Sequence, residues 1–319
     1  MRKVTLHILR AGGNELANQL WNYASIYAYS LELGFRLKNP VFFEYGEYFS
    51  MPAPNWLFRI LFFLPFRNYT QRKTARRRRL WRKAYSWYSA LVAAVVKDYL
   101  ITYVNEQNIP FYLAPSQKAG QVGGGFTKLA LLEKTAKNIY FDGWLFRNPI
   151  GLEKYRPQIL TYFAPNKTVQ ASVNAFLAPL KKTYAHVIGV HLRQGDYRTW
   201  RGGELLISEE RLAAALREYV NHADLSTSST CFIIASDGPI SPAKYTDLNI
   251  IITGKNMVED LFILAGTEAV IGSDSSFGDF AAFYGDIPHI IVTKTPIDWP
   301  YYANRNTFFQ NKYCNWVHY

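Results

Sequence analysis

Between Val187 and Val292 the chain repeats one pattern: a short apolar run rich in β-branched residues, a polar turn, then a segment with helical spacing. The runs are Val187–Leu192, Cys231–Ala235, Ile250–Thr253, Ala269–Gly272 and Ile287–Val292. They are short and mostly apolar, so each reads as a strand. Strands separated by helices of this length pair in parallel, because a parallel neighbour can only be reached by a crossover. The second half of the chain is therefore an α/β unit with a parallel sheet. Ligands of such sheets collect outside the carboxyl ends of the strands, so the residues that follow each run are where chemistry is expected.

The first run ends in His191-Leu192-Arg193-Gln194-Gly195-Asp196-Tyr197. It delivers an imidazole and a guanidinium to the sheet edge, and Gly195 then lets the chain turn. A guanidinium donates two parallel hydrogen bonds, which suits a phosphate or diphosphate. Asp196 is placed to hold an Arg or to accept backbone N–H groups. On spacing alone, a buried strand end with a structural Arg–Asp pair explains the pattern equally well. The second run ends in Ser236-Asp237, turned by Gly238-Pro239. The fourth leads through Ser273-Asp274-Ser275-Ser276 into a helix from about Phe277 to Tyr284. Hydroxyls at a helix N-terminus form either an anion site or a plain capping loop. Ser208 is an N-cap ahead of Glu209 and Glu210, for a helix reaching about Tyr219. Met257–Leu264 is helical, with Glu259 and Asp260 in its first turn.

The first half opens with a strand over Val4–Leu9 and a glycine turn at Ala11–Glu15. A helix follows over Leu16–Leu33, with Leu16, Leu20, Tyr23, Ala24, Tyr27 and Leu31 at helical spacing and Gly34 as its stop. Asn18 and Gln19 lie in the first turn, facing a cleft or simply solvent. Gly12 and Gly13 do not complete G-x-G-x-x-G, so no nicotinamide site is read. Val41–Phe49 is a short aromatic strand or loop. Two helices are expected between Trp56 and Val96, broken at Pro65. Further expectations are a strand at Leu100–Val104, a loop over Pro110–Gly125, an aromatic strand over Ile139–Phe146, and helices at Tyr155–Phe163 and Val169–Leu177. The boundary is expected at residues 177–186, giving domains 1–180 and 181–319.

At 319 residues the chain is long for one core, and with 49% hydrophobic residues it folds rather than remaining disordered. Its net charge of +12 is concentrated: Arg67–Lys83 holds nine basic and no acidic residues. The strongly apolar Trp56–Phe66 precedes that run, and Trp81, Tyr85, Trp87, Tyr88, Leu91 and Val95 follow or overlap it. Such a mixture over 56–96 suits peripheral contact with an anionic membrane surface, the apolar part being too short to span one. A solvated face over an ordinary core, or non-specific nucleic-acid binding through Arg76–Arg79, are the other readings. Cys231 and Cys314 set neither a disulfide framework nor a metal cluster, which points to a reducing, cytoplasmic setting. The first apolar run is too short for a signal peptide.

These marks together resemble the bacterial α-1,2-fucosyltransferases and, more distantly, other GDP-fucose-dependent fucosyltransferases. His191–Tyr197 is similar to their H-x-R-R-G-D-Y motif. Gly12-Gly13 through Asn18-Gln19, with Tyr23-Ala24, is similar to their opening G-G-x-G-N-Q segment. Phe141-Asp142-Gly143-Trp144 stands at their aromatic Gly-Tyr-Phe-Gln segment and Ser236-Asp237 at their strand-end Ser-Asp. Asp260–Ala265 and Ser273–Ala282 resemble their block ending in N-S-T-F-S-W-W-A-A. The resemblance covers roughly three quarters of the chain, by motifs that are specific only in combination.

The resemblance implies a GT-B architecture, with two Rossmann-like domains facing across a cleft, the acceptor on the N-terminal side and GDP-fucose on the C-terminal side. It implies inverting transfer to a hydroxyl of a glycan or lipid-linked glycan, with no metal and no cofactor beyond the donor, in a cytoplasmic or peripheral inner-membrane protein. Arg193 would contact the β-phosphate, His191 would help hold the nucleotide, Asp260 would bind the guanosine end, Ser275 and Ser276 would serve the diphosphate, and Asn18 would approach the fucose. Asp237 belongs to the same donor edge. Asp196, Glu204 and Asp142 are the candidate bases for the acceptor hydroxyl. Gln194 replaces the second Arg of the motif and is expected to remove a charge from the diphosphate site. Ala17 stands where Gly is usual, in a loop about two residues longer, and Gly278-Asp279-Phe280 replaces Ser-Trp-Trp. These departures leave open another nucleotide sugar as donor, or a degenerate, non-catalytic scaffold.

Overall fold

The computed structural model describes residues 4–10, 15–51, 74–103, 111–113 and 125–303. The expected turn at residues 11–14, the apolar run Trp56–Phe66, most of the 110–125 loop and Cys314 lie outside the described residues. Two compact units emerge, dividing between Asn166 and Lys167.

The first unit begins with β1 (Thr5–Arg10), α1 (Leu16–Leu33) and β2 (Arg36–Lys38). Gly34 ends α1 in the left-handed conformation, φ 67°, as the helix-stop reading requires. Residues 41–49 form neither strand nor open loop. They make two short 3-10 turns, Pro40–Glu44 and Gly46–Tyr48, seated by aromatic packing of Phe42 against Tyr23, Tyr45, Phe49 and Phe163. Then come α2 (Thr74–Val95), β3 (Leu100–Tyr103), β4 (Phe111–Tyr112), α3 (Gly125–Thr135), β5 (Asn138–Gly143) and β6 (Phe146–Arg147). The single aromatic strand expected over 139–146 is broken in two. Gly143 sits at φ +126°, where a Cβ would lie 2.1 Å from the Tyr103 carbonyl oxygen, and Leu145 follows at φ 66°. The kink moves Phe146–Arg147 onto β4 instead. The main sheet has the order β2-β1-β5-β3, all parallel. Two short helices, α4 (Pro149–Lys154) and α5 (Arg156–Tyr162), close the unit.

The second unit begins with α6 (Lys167–Thr183), whose buried Val169, Val173 and Leu177 are spaced four apart. It continues through β7 (His186–Leu192), α7 (Glu209–His222), β8 (Thr230–Ser236), β9 (Asn249–Ile252), α8 (Met257–Ala265), β10 (Val270–Gly272), α9 (Ser276–Gly285), β11 (His289–Ile291) and α10 (Trp299–Ala303). The apolar stripe of α6 packs on α8. That packing is why the units divide ahead of residues 177–186: the polar Lys181-Lys182-Thr183 ends a helix of the second unit. The sheet order is β11-β10-β7-β8-β9, parallel throughout. β7 lies at its centre, with Ile188, Val190 and Leu192 wholly buried among Phe232, Ile234, Leu212 and Ile271. Ser208 caps α7 by accepting from the Arg211 N–H at 3.2 Å. Among the described residues no helix is long and apolar enough to cross a membrane.

Close approach of β10 to β7 makes one glycine indispensable. Gly272 sits at φ +147°, and a Cβ there would lie 2.0 Å from the His191 carbonyl oxygen. Gly34 is also left-handed, at φ +67°, but has nothing within 4 Å. Gly272→Ala should therefore cost about 2–4 kcal/mol and Gly34→Ala only about 1 kcal/mol, read as shifts in the urea midpoint of unfolding.

Candidate functional site

Because β7, β8 and β10 are parallel neighbours, their carboxyl ends open on one edge, and the loops that leave them meet there. His191 pairs with Gly272 and Leu192 with Ser236 in the sheet register. One step beyond, the Ser273 hydroxyl accepts from the Arg193 N–H at 2.9 Å. Asp237 Oδ1 accepts from the N–H groups of Gln194, at 2.6 Å, and Gly195, at 3.2 Å. Gly195 is required by this closeness, since a Cβ would lie 2.8 Å from Asp237 Oδ2. The Arg193 guanidinium is held by two carboxylates: its Nε donates to Asp196 Oδ1 at 2.8 Å, and a terminal nitrogen lies 3.2 Å from Asp237 Oδ2. The two roles read for Asp196 are thus split. Asp196 holds the Arg, and Asp237 takes the backbone N–H groups as well as sharing the Arg.

Gln194 does not face the space in front of Arg193 as a lost positive charge would. Its side chain is buried and its amide donates to Ser236 Oγ at 3.2 Å and to the Pro239 carbonyl at 2.8 Å. It ties the β7 loop to the β8 loop. Gln194 thus has a structural use beside the charge that it lacks relative to an Arg.

His191 is buried, 3.0 Å through Nδ1 from Ser275 Oγ and packed against the Phe277 ring at 4.9 Å. Burial, and then the nearby His289 and Arg193 charges, push its pKa down to about 3. It is a neutral strut for Ser275 rather than a second cation. Ser275 caps α9, its hydroxyl 3.5 Å from the Gly278 N–H, and Ser276 is the first helical residue, half-buried. The N-terminus of this ten-residue helix therefore meets the same edge as Arg193. Beneath it lies a pair that sequence reasoning missed: Asp279 Oδ1 is 2.7 Å from His289 Nδ1, with both side chains buried. A polar residue inside the apolar stripe of α9 was its signal. Tyr197 was missed too. It donates to the Asp274 carbonyl at 2.6 Å and stacks on Trp200.

Asp260 lies in the first turn of α8, outside this network. Asn256 and Glu259 form a capping box there, so Glu259 is used in the cap. Asp260 Oδ1 is buried with no hydrogen-bond partner among the described residues. Burial, and then the Glu259 charge, push its pKa up to about 6 against the opposing Thr253 hydroxyl and Lys255. A half-buried carboxylate with an idle oxygen fits a ligand that donates hydrogen bonds.

Glu204 is exposed in the loop ahead of α7. Asn18 and Asp142 belong to the first unit. Asn18 is half-buried in the first turn of α1. Both oxygens of the buried Asp142 are taken by Arg10, whose Nε donates at 2.6 Å and whose terminal nitrogen binds the other oxygen. Among the described residues no three His, Cys, Asp or Glu side chains gather as a metal ion would need.

The Asp260 pKa makes a pH signature. Above its unfolded value of 3.8 and up to about 6, the folded chain holds this proton more tightly than the unfolded chain. Stability therefore falls as pH rises through that window, and the cost is complete above it. Asp260→Asn should raise the stability of the ligand-free protein by about 1–2 kcal/mol at neutral pH. That gain should vanish below about pH 4 in a series of denaturant melts.

No protein-family model matches the sequence, and no curated protein matches it. Solved structures do match the fold. POFUT1 in complex with GDP-fucose superposes with a TM-score of 0.53 at 12% identity, over 91% of this chain and 98% of that one. Fucosyltransferase NodZ from Bradyrhizobium gives 0.52 at 16% identity, over 93% of this chain and 97% of that one. A variant of Arabidopsis thaliana FUT1 in complex with GDP gives 0.52 at 13% identity, over 91% and 70%. At these identities the likeness shows the fold: a GT-B-type α/β architecture with parallel sheets.

Proposed function

We propose that this chain is an inverting, metal-independent glycosyltransferase that moves fucose from GDP-fucose to a glycan hydroxyl. The finer reading is an α-1,2 linkage made on a surface-polysaccharide precursor, the acceptor being a glycan or lipid-linked glycan on the cytoplasmic side of a membrane. The observation that carries the proposal is Arg193, fixed at the carboxyl edge of a parallel sheet by Asp196 and Asp237, beside the Ser275–Ser276 start of α9. As the bond from the sugar to the diphosphate breaks, negative charge grows on the leaving oxygen. A guanidinium, two hydroxyls and a helix N-terminus already aimed at one edge stabilise that charge without reorganising.

Asp260 supports guanine as the base. Guanine presents two adjacent donors, N1–H and the 2-amino group, which a carboxylate can accept together. Uracil and thymine present one donor between two carbonyls. The idle Asp260 oxygen therefore favours a GDP-sugar over UDP- or dTDP-sugars. Asn18 is assigned to the sugar or the diphosphate oxygens and His191 to holding Ser275. Of the candidate bases, Asp142 is committed to Arg10 and Asp196 to Arg193, which leaves Glu204 as the carboxylate outside such a pair among the described residues.

Thermal unfolding with a panel of nucleotide sugars tests the donor. GDP-fucose at about a hundredfold its Kd should raise Tm by roughly 5–10 °C, and UDP- and dTDP-sugars should leave it unmoved. A shift with UDP-sugars alone would transfer the reading to another donor. In transfer assays Arg193→Ala should lower kcat by about 10²–10³, and Arg193→Lys should recover only part, because an ammonium lacks the planar fork.

A further inference from the structure

We infer that the outward face of α2 is a docking surface for an anionic lipid membrane. The inference from this face stands apart from the donor assignment. α2 presents two opposed faces. One is seated on the first unit: Tyr85 and Ser89 are buried, the Tyr85 hydroxyl donates to the Leu9 carbonyl at 2.8 Å, and Arg82 pairs with Glu44. The other carries Leu80, Trp87, Leu91 and Val95, spaced seven, four and four apart on one stripe, with Ala84 and Ala94 exposed beside them. These four large apolar side chains are 63%, 74%, 68% and 78% exposed. An apolar row of this size on a helix already anchored from behind marks an interaction surface, not an unfinished core.

The charge decides the partner. Six of the first ten residues of α2 are basic, Arg76, Arg77, Arg78, Arg79, Arg82 and Lys83, and no acidic residue occurs anywhere in it. Cations crowd the positive end of the helix dipole, where they repel both the dipole and one another. An anionic surface relieves that repulsion, while the apolar row enters the boundary between headgroups and acyl chains. A second copy paired through this face would bring no acidic residue of α2 to meet the basic end, since the helix holds none. Nucleic acid could stack on Trp87 but would leave the aliphatic Leu80, Leu91 and Val95 with nothing to contact. Tyr85 fastens α2 to the carboxyl end of β1, so a membrane-bound α2 holds that end of the first sheet near the lipid surface. If the proposed function holds, a lipid-linked glycan would be presented there.

The test is co-sedimentation of the full chain with vesicles of phosphatidylcholine alone and of phosphatidylcholine with phosphatidylglycerol at about two to one. The protein should pellet with the mixed vesicles and stay in solution with the neutral ones. Binding should weaken as salt is raised. The double variant Trp87→Ser, Leu91→Ser should partition at least about tenfold less. Its exposed positions leave the fold intact, checked by an unchanged Tm. Equal recovery in the supernatant with and without anionic lipid overturns the inference, as does undiminished pelleting of the double variant. Self-association abolished by the double variant, with no vesicle binding, overturns it in favour of a second copy. RNA binding without vesicle binding overturns it in favour of nucleic acid. A GDP-fucose thermal shift measured on the same samples separates failure here from failure of the donor reading.

Discussion

One carboxylate at the end of β8 sets the geometry of the edge. Asp237 accepts from two consecutive backbone N–H groups of the β7 loop and still reaches the Arg193 guanidinium with its other oxygen. A charged acceptor on two N–H donors is worth more than a neutral one, and each N–H would otherwise be an unpaired group near a strand end. The backbone after Leu192 therefore turns toward β8, and Arg193 is left on the outside of the turn. Gln194 repeats the tie in the opposite sense, donating from the β7 loop to Ser236 and Pro239 of the β8 loop. On the other flank Ser273 holds the Arg193 N–H. The site is three loops laced across a parallel edge, with the guanidinium held at its outer side by Asp196 and Asp237.

The second sheet was legible because its strands obey one rule. Buried parallel strands are continuously apolar, and the five runs from Val187 to Val292 became the five strands at nearly the expected residues. The first unit was less legible where aromatic packing overrode local pattern. Val41–Phe49 has strand-like composition, yet Pro40 and the packing of Phe42 fold it into 3-10 turns. Ile139–Phe146 reads as one strand because nothing in its apolar pattern reports that Gly143 must pass within contact of the Tyr103 backbone. The compact units divide at Asn166 and Lys167, ahead of residues 177–186, for a related reason: a polar helix end looks like a linker until the apolar face of that helix is seen against α8.

For the site, residue types were readable and partnerships were not. Arg193, Ser275 and Asp237 were singled out from their positions after strands. Which carboxylate serves the guanidinium and which serves the backbone depends on loop closure across 40 or more residues, as in the Gln194–Asp237 bond, with |i−j| of 43. The structural use of Gln194 was not legible, because a motif comparison scores a missing charge and cannot see the amide tying one loop to the next. The Asp279–His289 pairing escaped notice because a buried hydrogen-bonded couple carries no sequence signature beyond a polar residue in an apolar stripe.

The laced edge carries a tension that bears on how an anion enters it. One guanidinium flanked by Asp196 and Asp237 is a cluster with net negative charge. The two are not equally held. Asp237 is bound by two backbone N–H groups, and releasing it would strand both. Asp196 makes an i,i+3 pair on a side chain that is 60% exposed, and such pairs contribute little. Asp196 is therefore the more weakly held of the two carboxylates. It can return to water, while Asp237 keeps Arg193 aimed. In the free protein Asp196 occupies the guanidinium as a stand-in anion.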